Sequence, residues 1–258
     1  MGVCRAICGI CICLVVWCSR SPAQQPSATD ATALIERARQ KARLYTQSLP
    51  DFECTETVHR STVAGSGRSL TDTLTIKLSY LQQQEVHKLM LVNGKPTELK
   101  FEGLQGATSV GEFGGILRIV FDPASETAFA WESWKNLRQH RSAVYEYAVS
   151  AATSPYFLRN EGRQANVSIH GVVEVDVTSG EVLRLTHVCY DIPKELNLAS
   201  ASGSVEYDLA GVGGRNYLLP ARSESQMRGP TVVVRNKMEF TAYRKFSSDS
   251  TITFGDGK

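Results

Sequence analysis

Apolar and polar positions alternate with a period of two along most of the chain, and the alternation is most legible between Asn166 and Asp191. Val173, Val175 and Val177 alternate with Glu174 and Asp176, and branched residues return from Val182 to Cys189. That is the pattern of two paired strands with one buried face. Val177-Thr178-Ser179-Gly180 lies between them, and a type I turn there, with Gly180 at positive φ, makes a bulged hairpin loop. The expected register pairs Val175 with Leu183, Val173 with Leu185, Gly171 with His187 and Ile169 with Cys189. On the polar face it sets Glu174 opposite Arg184, with Glu174 and Asp176 turned to solvent. A slip by one residue would turn every valine to water, so the register is specified.

The same period predicts strands over Glu53–Thr62, Leu70–Leu81, Val86–Val92, Thr97–Phe101, Phe129–Leu137 and Ala143–Val149 ahead of this hairpin. After it come Val205–Leu209, Tyr217–Met227, Thr231–Val234, Lys237–Phe246 and a short piece at Ser250–Phe254. Gly65-Ser66-Gly67 and Asn93-Gly94 are turn signals, and Pro220 inside a strand marks an edge or a bulge. Gly103–Asp122 reads as a loop and a short helix stopped by Asp122-Pro123. One long stretch, Asp30–Ser48, has helical spacing instead: Leu34, Ile35, Ala38, Ala42, Tyr45 and Leu49 share a stripe. Thr29 or Asp30 caps it and Leu49-Pro50 ends it. The fold class is therefore mainly β, an antiparallel sheet with one long N-terminal helix laid on its apolar face.

Composition changes this picture at the N-terminus. Residues 1–23 carry Arg5, an apolar run from Ala6 to Cys18 and a small-x-small ending at Ser21-Pro22-Ala23, which reads as a cleavable signal peptide. The run is shorter than the roughly 20 residues of a membrane span. Lipid anchoring at Cys18 is disfavoured, because Trp17 rather than a small residue precedes it. The expected mature protein, residues 24–258, is one β-rich domain exported to the periplasm or beyond.

Removal of Arg5 and Arg20 takes Lys+Arg from 28 to 26, against 26 Asp+Glu, so nothing in the charge calls for nucleic acid. Five of the seven cysteines also leave. Cys54 and Cys189 remain, and in an oxidising compartment they read as one disulfide, the alternative being two separately buried thiols.

Chemistry is sparse. The five histidines have no metal-ligand spacing, so neither metal nor cofactor is expected. His187 joins the apolar face and reads as a core histidine with one backbone partner, or as a buried titratable group. A catalytic pairing of His187 with Glu174 or Asp176 is opposed by their projecting from opposite faces. Phe113, Phe121, Trp131, Trp134, Tyr145 and Tyr147 cluster around the predicted loop and helix, either as ordinary core or as the mouth of an apolar cavity. With Leu34, Ile35 and Ala38 of the helix they are the candidate ligand-binding residues.

The hairpin Gly171-Val172-Val173-Glu174-Val175-Asp176-Val177-Thr178-Ser179-Gly180-Glu181-Val182-Leu183-Arg184 resembles the periplasmic lipoprotein-carrier superfamily of LolA, LppX and RseB. The tail is similar to exported bacterial proteins grouped with it, through Tyr217-Leu218-Leu219-Pro220, Tyr243-Arg244-Lys245-Phe246 and Thr251-Ile252-Thr253-Phe254. The resemblance implies an unclosed β-barrel wrapped over helix, an apolar cavity and no catalysis. Its implied ligand is a lipid or the acyl chain of a lipoprotein. The alternative is an envelope module that binds a protein segment. No residue matches a carrier's functional arginine.

Overall fold

The computed structural model describes residues 27–104 and 111–246. The signal-peptide reading, Cys18 and the piece at Ser250–Phe254 lie outside them. The helical stripe becomes α1, Ala28–Ser48. Its cap is Ser27, whose hydroxyl accepts the Asp30 N–H, rather than the expected Thr29 or Asp30.

The first strands are β1 (Phe52–Ala64), β2 (Ser69–Leu81), β3 (Gln84–Val92) and the two-residue β4 (Lys95–Pro96). A second helix, α2 (Gly115–Phe121), stops at Asp122-Pro123. Then come β5 (Ala128–Leu137), β6 (His140–Val149), β7 (Phe157–Asn160), β8 (Arg163–Asn166), β9 (Ser168–Asp176) and β10 (Val182–Tyr190). The last are β11 (Ser200–Val212), β12 (Arg215–Arg228) and β13 (Val232–Lys245).

Eleven of these strands form one antiparallel sheet in the order β4-β3-β2-β1-β13-β12-β11-β10-β9-β6-β5, while β7 and β8 pair only with each other. The first long strand closes on the last, Glu56 opposite Phe240, whereas β4 and β5 are left at the two edges and the barrel stays open. One face is mainly apolar and α1 crosses it. At one end of the helix the Tyr145 hydroxyl of β6 donates to the Ala31 carbonyl (2.9 Å); at the other the Tyr80 hydroxyl of β2 donates to the Thr46 carbonyl (3.4 Å). Between β2 and β6 lie seven inter-strand steps, about 33 Å of sheet. The helix between Ala31 and Thr46 is only about 23 Å long, so the sheet curves over it.

The expected single helix on that face is corrected to two. Leu34, Ala38 and Ala42 of α1 and Ile116, Leu117, Val120 and Phe121 of α2 fill the concave side together. Two further expectations change. Thr97–Phe101 is not a strand, since β3's partner ends at Pro96. The hairpin of β7 and β8, four residues a strand, carries too short a pattern to have been read.

The organising hairpin keeps its predicted register at Val173–Leu185, Glu174–Arg184 and Ile169–Cys189, with Gly180 at φ 75°. Val175 meets Val182 rather than Leu183, because a bulge intervenes before Arg184. Pro220 also sits at a bulge, Tyr207 facing Pro220 where Glu206 faces Arg222.

Glu174 and Asp176 are buried, not solvent-facing: Val144 and Ser142 of β6 stand beside them, and Lys135 (3.9 Å) and Arg184 (3.8 Å) reach Glu174. Asp176 accepts N–H bonds from Thr178 (2.9 Å) and Ser179 (2.6 Å) and lies 2.8 Å from His140 Nδ1. Burial alone would raise its pKa, but the Ser179 N–H and then His140 outweigh it and hold the carboxyl below its ordinary value. A depressed carboxyl stabilises above its unfolded pKa and ceases to as pH falls through the folded one. Asp176→Asn is thus expected to lose about 1 kcal/mol at neutral pH and to soften the acid loss below about pH 4, read from urea melts against pH.

Candidate functional site

The seam between the two helices and the concave sheet is the site that the candidate residues build. Leu34, Ala38, Phe121, Tyr145 and Tyr147 are buried in one apolar cluster with Val173, Val175 and Leu185, and Ile35, Trp131 and Trp134 are half-buried at its margin. The structure does not bring Phe113 to them. Its ring lies in a second lobe, 5.3 Å from Phe52 and 5.4 Å from Phe240, edge-on to the latter.

At the β5 margin Phe129, absent from the sequence candidates, stacks on Phe121 at 5.4 Å and lies under the Arg39 guanidinium. Trp131 and Trp134 meet edge to face at 5.8 Å, and Arg141 covers Trp134. The buried indole N–H of Trp131 has no hydrogen-bond partner. Besides the two tyrosine bonds, Arg37 Nη2 donates to the Val177 carbonyl at 3.2 Å. Lys41 Nζ of α1 also lies 3.7 Å from Glu181 Oε1, and among the described residues the rest of the interface is mainly apolar side chains.

A second feature is polar. Along β1, Glu56 occupies the inward position between Cys54 and Val58, and across β2 the inward residues of β3 are Glu85 and His87. With Glu112, on the approach to α2, they form a buried carboxylate cluster. His87 Nε2 lies 3.6 Å from Glu56 and 3.9 Å from Glu85, its ring stacked on Phe101. Glu85 accepts the N–H groups of Gly111 (3.0 Å) and Phe113 (3.1 Å). Glu56 Oε2 has no hydrogen-bond partner.

Burial, then the charges of Glu112 and Glu85, push Glu56 up to about 8. Glu85 is raised too, by burial and by Glu112, against the two N–H bonds. The sequence analysis missed this cluster; its one signal in the chain is a glutamate within the otherwise apolar stripe Phe52-Cys54-Glu56-Val58.

The cysteines do not pair. Both are free and buried, and four inter-strand steps separate β1 from β10, about 19 Å of sheet. Sharing an inward face is not sharing a place on it. Each thiol is raised by burial, Cys189 to about 12, so both are inert as nucleophiles. His187 is an inner-face histidine as expected, but its Nε2 meets the Tyr156 hydroxyl (2.9 Å) rather than a backbone group. Burial lowers it to about 4. Glu174 and Asp176 face the other way.

A polar groove of 460 Å³ lies at the far end of β1, β2 and β13, among residues that include Arg60, Asp72, Arg235 and Lys237. Its lining suits no acyl chain.

Fold and seam define a class: an open, curved antiparallel sheet whose apolar concave face is covered by two helices. No family model matches the chain, and neither does any curated protein. Among solved structures it is similar to an outer membrane lipoprotein-sorting protein domain from Vibrio parahaemolyticus, at 12% identity and TM-score 0.41, over 84% of this chain and 94% of that one. A DUF1329 family protein from Desulfovibrio piger follows, at 11% and 0.38, over 84% and 93%. A LolA superfamily protein from Nitrosomonas europaea matches at 10% and 0.35, over 84% and 94%.

Proposed function

We propose that this is an exported cell-envelope protein that holds an apolar ligand, a lipid or a lipoprotein acyl chain, between its two helices and the concave sheet, without catalysis. The observation that carries the reading is the construction of the seam. The sheet is held by its own backbone ladder, whereas α1 meets it through an apolar stripe, three hydrogen bonds and the exposed Lys41–Glu181 ion pair. The helices can therefore lift as a cover while the sheet stays intact, exposing an apolar face that an acyl chain would occupy in their place. Ile35, Phe129, Trp131 and Trp134, half-buried where α1 meets the open edge at β5, form the entrance in this reading.

A second reading rests on β5 itself. It is a ten-residue strand whose outer edge has no partner strand among the described residues, and such an edge accepts an extended segment of another protein by strand addition. Native mass spectrometry of the protein isolated from its own envelope separates the two. The ligand reading expects an adduct of lipid mass that organic extraction removes. A bare mass accompanied by a stoichiometric protein partner would overturn it in favour of the edge.

A further inference from the structure

Cys54, Glu56 and Val58 of β1 point inward, so His59 and Ser61 alternate between the two faces in step with them and stand on the outer one. The ladder sets His59 between Thr73 of β2 and Lys237 of β13, and Ser61 between Thr71 and Arg235. These six side chains, from three neighbouring strands, share one patch in which directly opposite Cβ atoms are about 5 Å apart, and all of them line the 460 Å³ groove. We propose that this groove binds the phosphate group of an organic phosphate ester, with Arg235 and Lys237 as its cationic contacts and the hydroxyls of Ser61 and Thr71 as its floor.

The hollow comes from side-chain length. Ser61 and Thr71 are short and stand beside the long side chains of Arg235 and Lys237, so the sheet surface dips between them. The Asn93-Gly94 turn borders the groove at β2, where Asn93 Oδ1 accepts the Thr73 N–H (2.9 Å) and leaves the side-chain amide N–H groups as donors. His59 Nδ1 meets the Thr73 hydroxyl at 3.1 Å, so Nε2 is the ring nitrogen left for a ligand. The hydroxyls of Ser61 and Thr71 have no hydrogen-bond partner among the described residues.

The charges favour an anion. Among the described residues Arg235 pairs with no carboxylate: its Nε (3.1 Å) and Nη2 (2.7 Å) both donate to the neutral Gln226 Oε1. Lys237 has only Glu224, 3.8 Å away, and both side chains are more than half exposed, so water screens that pair and it yields to a better-placed anion. Arg60 and Asp72, which also border the groove, neutralise each other, Arg60 Nε donating to Asp72 at 2.7 Å. A guanidinium, an ammonium and two hydroxyls around one hollow suit the several acceptor oxygens of a phosphate. The groove is larger than a bare phosphate ion. Its next outward pair along β1 and β13 is the exposed Val63 opposite Val233, an apolar margin on which the organic part of an ester can rest.

The groove lies on the face opposite the seam, so the proposal goes beyond the apolar ligand and stands without it. Calorimetric titration of the protein with glycerol 3-phosphate tests the site, and flotation with phosphatidylcholine vesicles containing phosphatidylglycerol tells a lipid headgroup from a soluble ester. The expected result is saturable one-to-one binding that weakens as salt is raised. It should be about tenfold or more weaker in Arg235→Gln, weaker also in Thr71→Val, and unchanged in Arg43→Gln, which removes an exposed charge of α1. Arg235 and Thr71 are exposed, so both variants should keep the fold. Flotation that Arg235→Gln abolishes would support the site with a lipid headgroup as its source, and titration without flotation would support it with a soluble ester. Neither heat nor flotation, binding that Arg235→Gln leaves at parental strength, or an equal loss in Arg43→Gln would overturn it. Binding of polyglutamate in place of the phosphate probes would overturn it too, in favour of an acidic peptide.

Discussion

Gly171→Ala is expected to leave no stable native state. The ladder between β9 and β10 pairs Val173 with Leu185 and His170 with Val188 but is interrupted between them, where the Thr186 carbonyl turns to accept the Tyr147 hydroxyl. That carbonyl crosses the place where a side chain at 171 would begin. An added Cβ would stand 2.7 Å from the Thr186 carbonyl carbon, nearer still to its oxygen, and 3.0 Å from the His187 Cα. All three are backbone atoms, so no rotamer change relieves the clash and the two strands must part. They lie in mid-sheet, with the buried apolar cluster on one side and Glu174 on the other. The loss should reach about 4 kcal/mol or more, a large share of a domain's stability. Urea denaturation or the soluble yield measures it; a variant within about 1 kcal/mol of the parent would contradict this account of the hairpin.

Phe113→Ala should cost about 3–5 kcal/mol, as deletion of a fully buried ring does. The ring is 1% exposed and lies among Phe52, Tyr80, Phe240 and Tyr243. These side chains belong to three different strands, β1, β2 and β13, so the cavity cannot collapse by moving one of them. The segment should also lose its anchor, and residues 111–121 should exchange faster at every pH. Chemical denaturation checks the magnitude, and a loss under about 1 kcal/mol would mean that the lobe repacks.

What could be read from the sequence was local. Alternation and turn chemistry located the strands around Gly180, Asn93-Gly94 and Gly65-Ser66-Gly67, and the Pro220 bulge followed from one missing N–H. The helical stripe from Leu34 to Leu49 was legible because its period differs from everything around it. The failures were failures of distance. Cys54 and Cys189 both point inward, but only the strand order, which closes β1 on β13, tells that they are four strands apart. Glu174 and Asp176 looked solvent-facing because their burial comes from side chains that the neighbouring strands set beside them, such as Val144, Ser142 and Arg184. The carboxylate cluster assembles from β1, β3 and the approach to α2, and no spacing in the chain announces it. Among the candidate ligand residues, Phe113 went astray for the same reason: its neighbours in sequence are not its neighbours in the sheet.

The central claim, that an apolar ligand occupies the seam beneath α1, is tested most directly by pinning that helix down. A Cβ added to Gly180 would stand 3.2 Å from the Arg37 Cβ, close to the roughly 3.5–4.5 Å of a disulfide. Arg37→Cys with Gly180→Cys therefore staples α1 to the hairpin turn, at a cost of about 1 kcal/mol for the positive φ. Uptake of a long-chain fluorescent fatty acid should be lost in the oxidised double variant and return on reduction. Equal uptake with the staple closed and open, or none by the unstapled protein, would contradict the claim.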